Sequence, residues 1–289
     1  MSKVIDLTGK PQSEWYSNPN LLDNWYFADP INQREQTEYT AASGKKYTVD
    51  RWYMATGGTV TVESGGVSLS AGCMFWQLVE GAQTGRPYTF SYLTADNVLV
   101  SCIVDSLATD TDKTVTVGDY DIRVQYYNDA LAVRIAGYVA VKTIAAKLEL
   151  GSTQTLAHQD ADGNWVLNDP PPNRALELAK CQRYYCTTMT ADGTFNNYES
   201  FHATGATITN IAHVKFPVLM RTRPSVTLYS VDRQTESGIS YMSDGTTVAD
   251  VKVYPVDSSL GTLGFSAVNS TDILPENLYC FHYVADANL

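Results

Sequence analysis

Between Gly57 and Ser70 the chain reads GGTVTVESGGVSLS: Val60 and Val62 alternate with Thr and Glu, a glycine pair interrupts, and Val67 and Leu69 resume the rhythm. Successive side chains of an extended strand point to opposite faces, so a period of two buries one face and wets the other. Gly65-Gly66 supplies the positive φ that a tight reversal needs, and the stretch predicts a hairpin. The rhythm recurs in PYTFSYL (Pro87–Leu93), NVLVSCIV (Asn97–Val104), KTVTV (Lys113–Val117), YDIRVQYY (Tyr120–Tyr127) and LAVRIA (Leu131–Ala136). In the fourth of these, Tyr120, Ile122, Val124 and Tyr126 share one face, opposite Asp121, Arg123 and Gln125. Short strands at this spacing, separated by Gly, Asn and Asp, predict an antiparallel sandwich. Thr143–His158 closes the region. Its Ala, Lys, Leu and Glu favour a helix by propensity, but Leu148 and Leu150 alternate with Lys147 and Glu149 ahead of a glycine, and the stretch reads as a last strand.

The pattern then breaks at WVLNDPPPNRALELAKCQRYY. Asp162-Gly163 predicts a tight turn, and three prolines fix φ and bias the residues before them towards extended backbone. Asn173 is a good N-cap for a helix from about Arg174 to Tyr185, with Ala175, Leu178, Cys181 and Tyr185 on one face and Leu176 and Ala179 widening the apolar surface. A helix this short is marginal alone and needs a partner surface. β-like segments return at Ala206–Phe216, Pro224–Val231, Gly238–Ser243, Val248–Val256, Leu260–Asn269 and Asn277–Leu289. The expected fold is all-β: two β-sandwich, jelly-roll-like modules joined by a Pro-rich linker and one short helix. The expected divisions are an N-terminal arm over 1–18, a first sandwich over 19–158, the linker and helix over 159–185, and a C-terminal β domain over 186–289.

Composition narrows the partners. A net charge of −11 argues against nucleic acid, which needs clustered Lys and Arg to neutralise phosphates. Five cysteines, an odd number without regular spacing, argue against a disulfide scaffold and suit assembly in a reducing cytoplasm. The amino terminus has no apolar signal segment, and no apolar run approaches the ~20 residues of a membrane helix, so no membrane insertion is expected. The 19 tyrosines suit a sheet, where the ring packs on the pleat and the hydroxyl stays wet.

Four phrases together carry a family resemblance: NLLDNWYFADPINQREQTEYT with YTVDRWYM, AAKLELGSTQTLAHQDADGNWVLNDPPPNRALELAKCQRYY, FPVLMRTRPSVTLYS, and the terminal YVADANL. From about Asn20 to its end, the chain resembles phage and prophage fibre proteins, the tail or head fibres of virions. The resemblance implies a carbohydrate-binding-module-like jelly roll, then a C-terminal β domain, in a homotrimer. It implies a virion protein that contacts a host-surface glycan and meets other virion proteins through its N-terminal arm. It transfers no catalytic residue.

Cys181 and Cys186 with His202 and His213 do not have the His spacing of a zinc site. No nucleophile elbow accompanies His158, His202, His213 or His282. DTDKT (Asp110–Thr114) and DADGN (Asp160–Asn164) lack the glutamate that completes an EF-hand loop. Carboxylate pairs are too numerous among 31 Asp and Glu to single one out. No enzyme activity, cofactor or metal is expected. Aromatics are the better lead, and Trp76, Tyr88, Tyr126 and Tyr127 are the candidate glycan contacts. DRW (Asp50–Trp52) reads as a strand carrying Trp52 into the core. Leu176, Leu178 and Ala179 are the candidate oligomer contacts. Two other functions fit the same sequence: a carbohydrate-binding module of a polysaccharide-degrading enzyme, and an architectural capsid or baseplate protein without a receptor.

Overall fold

The alternating segments form strands in the computed structural model, which describes residues 17–127, 129–189, 198–202, 210–231, 236–241, 247–248, 252–255, 261–268 and 278–288. The N-terminal arm lies outside these residues up to residue 16, as do parts of the later β-like segments. The chain is mostly β and divides into two compact units. Of the described residues, unit one takes 17–30, 37–48 and 52–172, and unit two takes 31–36, 49–51 and those from Asn173 onward.

Unit one begins with β1 (Glu38–Ala41), β2 (Lys46–Tyr47), β3 (Trp52–Met54), β4 (Gly58–Glu63), β5 (Gly66–Leu69) and β6 (Phe75–Val79). It continues with β7 (Tyr88–Thr94), β8 (Leu99–Val104), β9 (Asp112–Val117), β10 (Tyr120–Tyr127), β11 (Ala130–Gly137) and β12 (Val141–Leu150). These form two six-stranded antiparallel sheets, ordered β1-β4-β5-β12-β7-β8 and β2-β3-β6-β11-β10-β9, a jelly-roll-like sandwich. The glycine-pair hairpin joins β4 to β5, with Glu63 opposite Gly66 and Gly65 at φ +77. Thr143–His158 supplies β12, the longest strand here, and Leu148 is fully buried opposite Phe90 of β7.

The inner faces carry the apolar phase of each alternation. Ile122 and Val124 of β10 are fully buried, as are Val133 and Ile135 of β11 and Phe90 and Tyr92 of β7. The Tyr92 hydroxyl reaches from one sheet to the other and donates to the Ala136 carbonyl at 3.4 Å. Trp52 stacks on Phe75 at 4.8 Å between ring centroids, and Phe27 meets Trp52 edge-on at 5.1 Å. Trp52 is thus a core residue, as expected, but DRW is not a strand: Asp50 and Arg51 form a turn, with Arg51 at φ +72, and β3 starts at Trp52, whose indole N–H is satisfied by the Asn24 carbonyl at 3.1 Å. Each such ring contributes about 1.5–3 kcal/mol by leaving water. After β12 come β13 (Ala157–Gln159) and β14 (Trp165–Leu167), a hairpin that turns at the expected Asp162-Gly163, with Gly163 at φ +83.

Unit two holds α1 (Arg174–Gln182), the one helix among the described residues. Asn173 caps it, its side-chain oxygen accepting from the Ala175 and Leu176 amides. The helix ends at Gln182, short of the expected Tyr185, because Tyr185 enters β15 (Tyr185–Thr187). Its buried face matches the expected stripe in part: Cys181 goes inside and Leu178 is half-buried, but Ala175 is exposed, Glu177 is buried, and Leu176 is 66% exposed. The buried Glu177 lies 3.1 Å from the half-exposed Lys180 ammonium, one turn along the same helix.

The remaining strands are β16 (Glu199–His202), β17 (Asn210–Lys215), β18 (Ser225–Tyr229), β19 (Ile239–Tyr241), β20 (Thr247–Val248), β21 (Lys252–Pro255), β22 (Gly264–Val268) and β23 (Leu278–Asp286). β23 organises the unit: β15, β16, β18 and β19 all pair with it. A second sheet runs β17-β22-β21. Between them lies a core that includes Phe216, Leu228, Phe265, Phe281 and Tyr283. Asp50, on the short segment that belongs to this unit, is fully buried. It accepts the Gln33 amide at 2.8 Å and lies 3.4 Å from the Arg34 guanidinium. Arg34 in turn lies over the Tyr185 ring at 3.7 Å, and Arg51 over Tyr184 at 3.3 Å.

Candidate functional site

Pairing registers carry one row of side chains across the whole of the second sheet of unit one. Tyr47 of β2 lies opposite Tyr53 of β3, which lies opposite Trp76 of β6. Trp76 faces Arg134 of β11, Arg134 faces Arg123 of β10, and Arg123 faces Thr114 of β9. Residues directly opposite in an antiparallel ladder share a face, so the six form a continuous stripe. The stripe lies away from the sandwich core, because its neighbours along each strand, Trp52, Phe75, Ile135, Ile122 and Val124, are the inward residues.

Contacts tie the row together. The Lys45 ammonium lies 4.3 Å from the Tyr53 ring centroid and 4.9 Å from that of Tyr47. The Arg134 and Arg123 guanidiniums lie 5.6 and 5.8 Å from the Trp76 ring. Each arginine is aimed by an aspartate: Arg134 by Asp121 at 2.6 Å, Arg123 by both carboxylate oxygens of Asp112. The Arg123 pair holds the Asp112 carboxyl below its usual range, while burial pushes the Tyr53 hydroxyl up to about 12. The guanidinium charges are therefore balanced in place, and the face as a whole is polar but not strongly cationic.

The arginines close over Trp76, which is 7% exposed, while Arg134 is 5% exposed. Beneath this cover three polar atoms are buried without a hydrogen-bond partner: the Trp76 indole N–H, the Arg134 Nε–H and Asp121 Oδ1. A buried donor or acceptor left unmade costs about 1–3 kcal/mol, and native structures hold few of them. Two donors and one acceptor gathered around one indole are the hydrogen-bonding complement of hydroxyl groups, each of which both accepts and donates.

The sequence-derived aromatics fall in different places. Trp76 sits at the centre of the row. Tyr127, 63% exposed, ends β10 in the same phase as Arg123 and Gln125. Tyr126 is half-buried in the opposite phase, with Ile122 and Val124. Tyr88 is 2% exposed at the start of β7 in the other sheet, and its hydroxyl accepts the Gln83 amide at 2.8 Å. Tyr53, Arg123, Arg134, Asp112 and Asp121 were not singled out from sequence. The out-phase of YDIRVQYY already contains Asp121 and Arg123, but nothing local says that β6 and β11 lie beside them. Of the candidate oligomer contacts, Leu176 is exposed, and Leu178 and Ala179 are half-buried on α1.

The discarded metal readings have plain local roles. The Asp160 carboxylate accepts the Asp162 and Asn164 amides and closes the β13–β14 turn. All five cysteines are buried and none is in a disulfide, and burial pushes the Cys73, Cys102, Cys186 and Cys280 thiols up. Compared with known proteins, the chain matches no family model, no curated protein and no solved structure.

Proposed function

We propose that this chain is a fibre-like virion protein that displays a glycan-contact face and acts by adhesion, not by bond-making. The observation that carries the binding part is the row from Tyr47 to Thr114, with three unsatisfied polar atoms gathered at Trp76. Aromatic faces pack on sugar C–H groups, and charge-balanced arginine and aspartate supply directional hydrogen bonds to hydroxyls. The virion part rests on the family resemblance of the phrases from Asn20 onward. Three copies would present three such faces, which converts weak contacts into strong adhesion without new chemistry. The N-terminal arm would then meet other virion proteins.

A binding module of a polysaccharide-degrading enzyme would use the same row, and this is the second reading. A glycan array run beside a bacterial adsorption assay separates them. Retention of glycans with unchanged chain length, together with adsorption to cells, supports the virion reading. Shortened glycans in the eluate support the enzyme module. Silence in both assays overturns the binding proposal and leaves an architectural role.

A further inference from the structure

We infer a second ligand site in unit one: a groove for a neutral saccharide, built from the end of β12, the loop after it and the β13–β14 hairpin. The groove encloses about 800 Å³, inside the range of roughly 300–1,000 Å³ common to small-molecule sites. Its walls include Ser152, Thr153, His158, Gln159, Trp165 and Asn168. Among the described residues no Asp, Glu, Lys or Arg lines it, in a chain that carries 31 acidic and 20 basic side chains. Hydroxyls, amides and an imidazole around one half-buried indole suit a ligand with hydroxyl groups and an apolar ring face but no charge. Among the described lining residues an anion meets no cation and a cation meets no carboxylate.

The walls are fixed from behind. Glu149 projects away from the sandwich core and is nonetheless fully buried. It accepts the Thr155 amide at 2.7 Å, the Thr155 hydroxyl, and the Asn18 side-chain amide at 3.0 Å. Lys147, also fully buried, pairs with Asp169 at 2.8 Å and donates to the Ser17 hydroxyl. Asn168 donates to the Thr155 carbonyl at 2.9 Å, and its oxygen lies 2.6 Å from His158 Nδ1. Asn97 accepts the Trp165 amide at 2.7 Å. A loop and a hairpin locked this way lose little freedom on binding, the condition under which a small polar ligand gains affinity. The groove rests on β12 of the first sheet, whereas the Trp76 row lies on the other sheet, so the two sites stand or fall separately.

The test labels the full chain with 5-fluorotryptophan and follows its five tryptophans by ¹⁹F NMR, assigning two signals with Trp165→Phe and Trp76→Phe. Methyl β-glucoside, methyl β-galactoside and N-acetylglucosamine are the probes, with glucuronate and glucosamine as charged controls. At least one neutral probe should shift the Trp165 signal saturably. Gln159→Ala, which removes an exposed side chain, should weaken that effect at least about threefold, the order expected for one lost hydrogen bond. The inference is overturned if no neutral probe moves Trp165, or if the charged controls move it equally well. A shift confined to Trp76 would support the sheet-face site and overturn the groove.

Discussion

A hydroxyl group both gives and takes a hydrogen bond, which suits it to the unmatched polar atoms around Trp76. Its indole N–H, the Arg134 Nε–H and Asp121 Oδ1 are buried and unmatched, although both charged neighbours are already paired. Trp76→Phe removes one unmatched donor while keeping an aromatic ring in the row. Its thermal midpoint should stay within the shift that about 1 kcal/mol produces, because lost ring area and lost polar mismatch oppose each other. Scanning calorimetry checks this, and a much larger loss would mean that the indole is a core residue and nothing more. Asp50 makes a sharper residue-level case. Burial pushes its carboxyl up to about 6, against the Arg34 guanidinium and the Gln33 amide, which pull it down. The folded state therefore holds the Asp50 proton more tightly than the unfolded chain does. This group's contribution to stability is complete below the ordinary carboxyl value and is lost as pH rises through about 6. Asp50→Asn should remove that component, worth about 3 kcal/mol at most across the window. The variant's midpoint should then vary less than the parent's between about pH 4 and pH 6. An unchanged difference between parent and variant across that range would contradict the assignment.

At the scale of elements, the strands of unit one were legible because one face of each is buried, which imposes period two on the sequence. YDIRVQYY is β10, LAVRIA lies within β11, and the glycine pair marks the β4–β5 turn. The alternation of Lys147 and Glu149 with Leu148 also marked β12 as a strand. It could not reveal that both charges are fully buried, because their cover comes from residues 17–18 and 155–169, remote in sequence. The stripe across β2, β3, β6, β11, β10 and β9 was illegible for the same reason. Sheet order is a long-range property, and only Trp76 and Tyr127 of the four named aromatics share its face. Helix α1 was legible from its cap and in part from its stripe: Cys181 is buried and Leu178 half-buried, but Ala175 is exposed and Glu177 is buried in its stead. Asn173→Ala should therefore cost about 1 kcal/mol, the typical value of a lost N-cap, measured as a fall in the denaturation midpoint. No change would show that the cap is redundant with the packing of Cys181.

For the whole molecule, the adhesion proposed above would depend on how many faces one assembly presents. Leu176 is 66% exposed, so within one chain its replacement should leave stability within about 0.5 kcal/mol. If the chain forms the homotrimer that the resemblance implies, with Leu176 at the contact, the parent should scatter with the mass of three chains and Leu176→Glu should lower it, because an apolar contact would become three clustered charges. A single-chain mass for the parent protein would contradict the trimer and with it the gain from multiple faces. The central claim is narrower than the trimer: the Tyr47–Thr114 row binds glycan hydroxyls and leaves the bonds of the glycan intact. The most direct measurement compares the parent with the Trp76→Phe/Arg123→Ala double variant on one glycan array, with the thermal midpoint and the length of eluted glycans recorded for both. The account predicts retention by the parent, loss of at least about tenfold in the folded variant, and glycans recovered at full length. Equal retention by the two proteins, or shortened glycans from the parent, would contradict it.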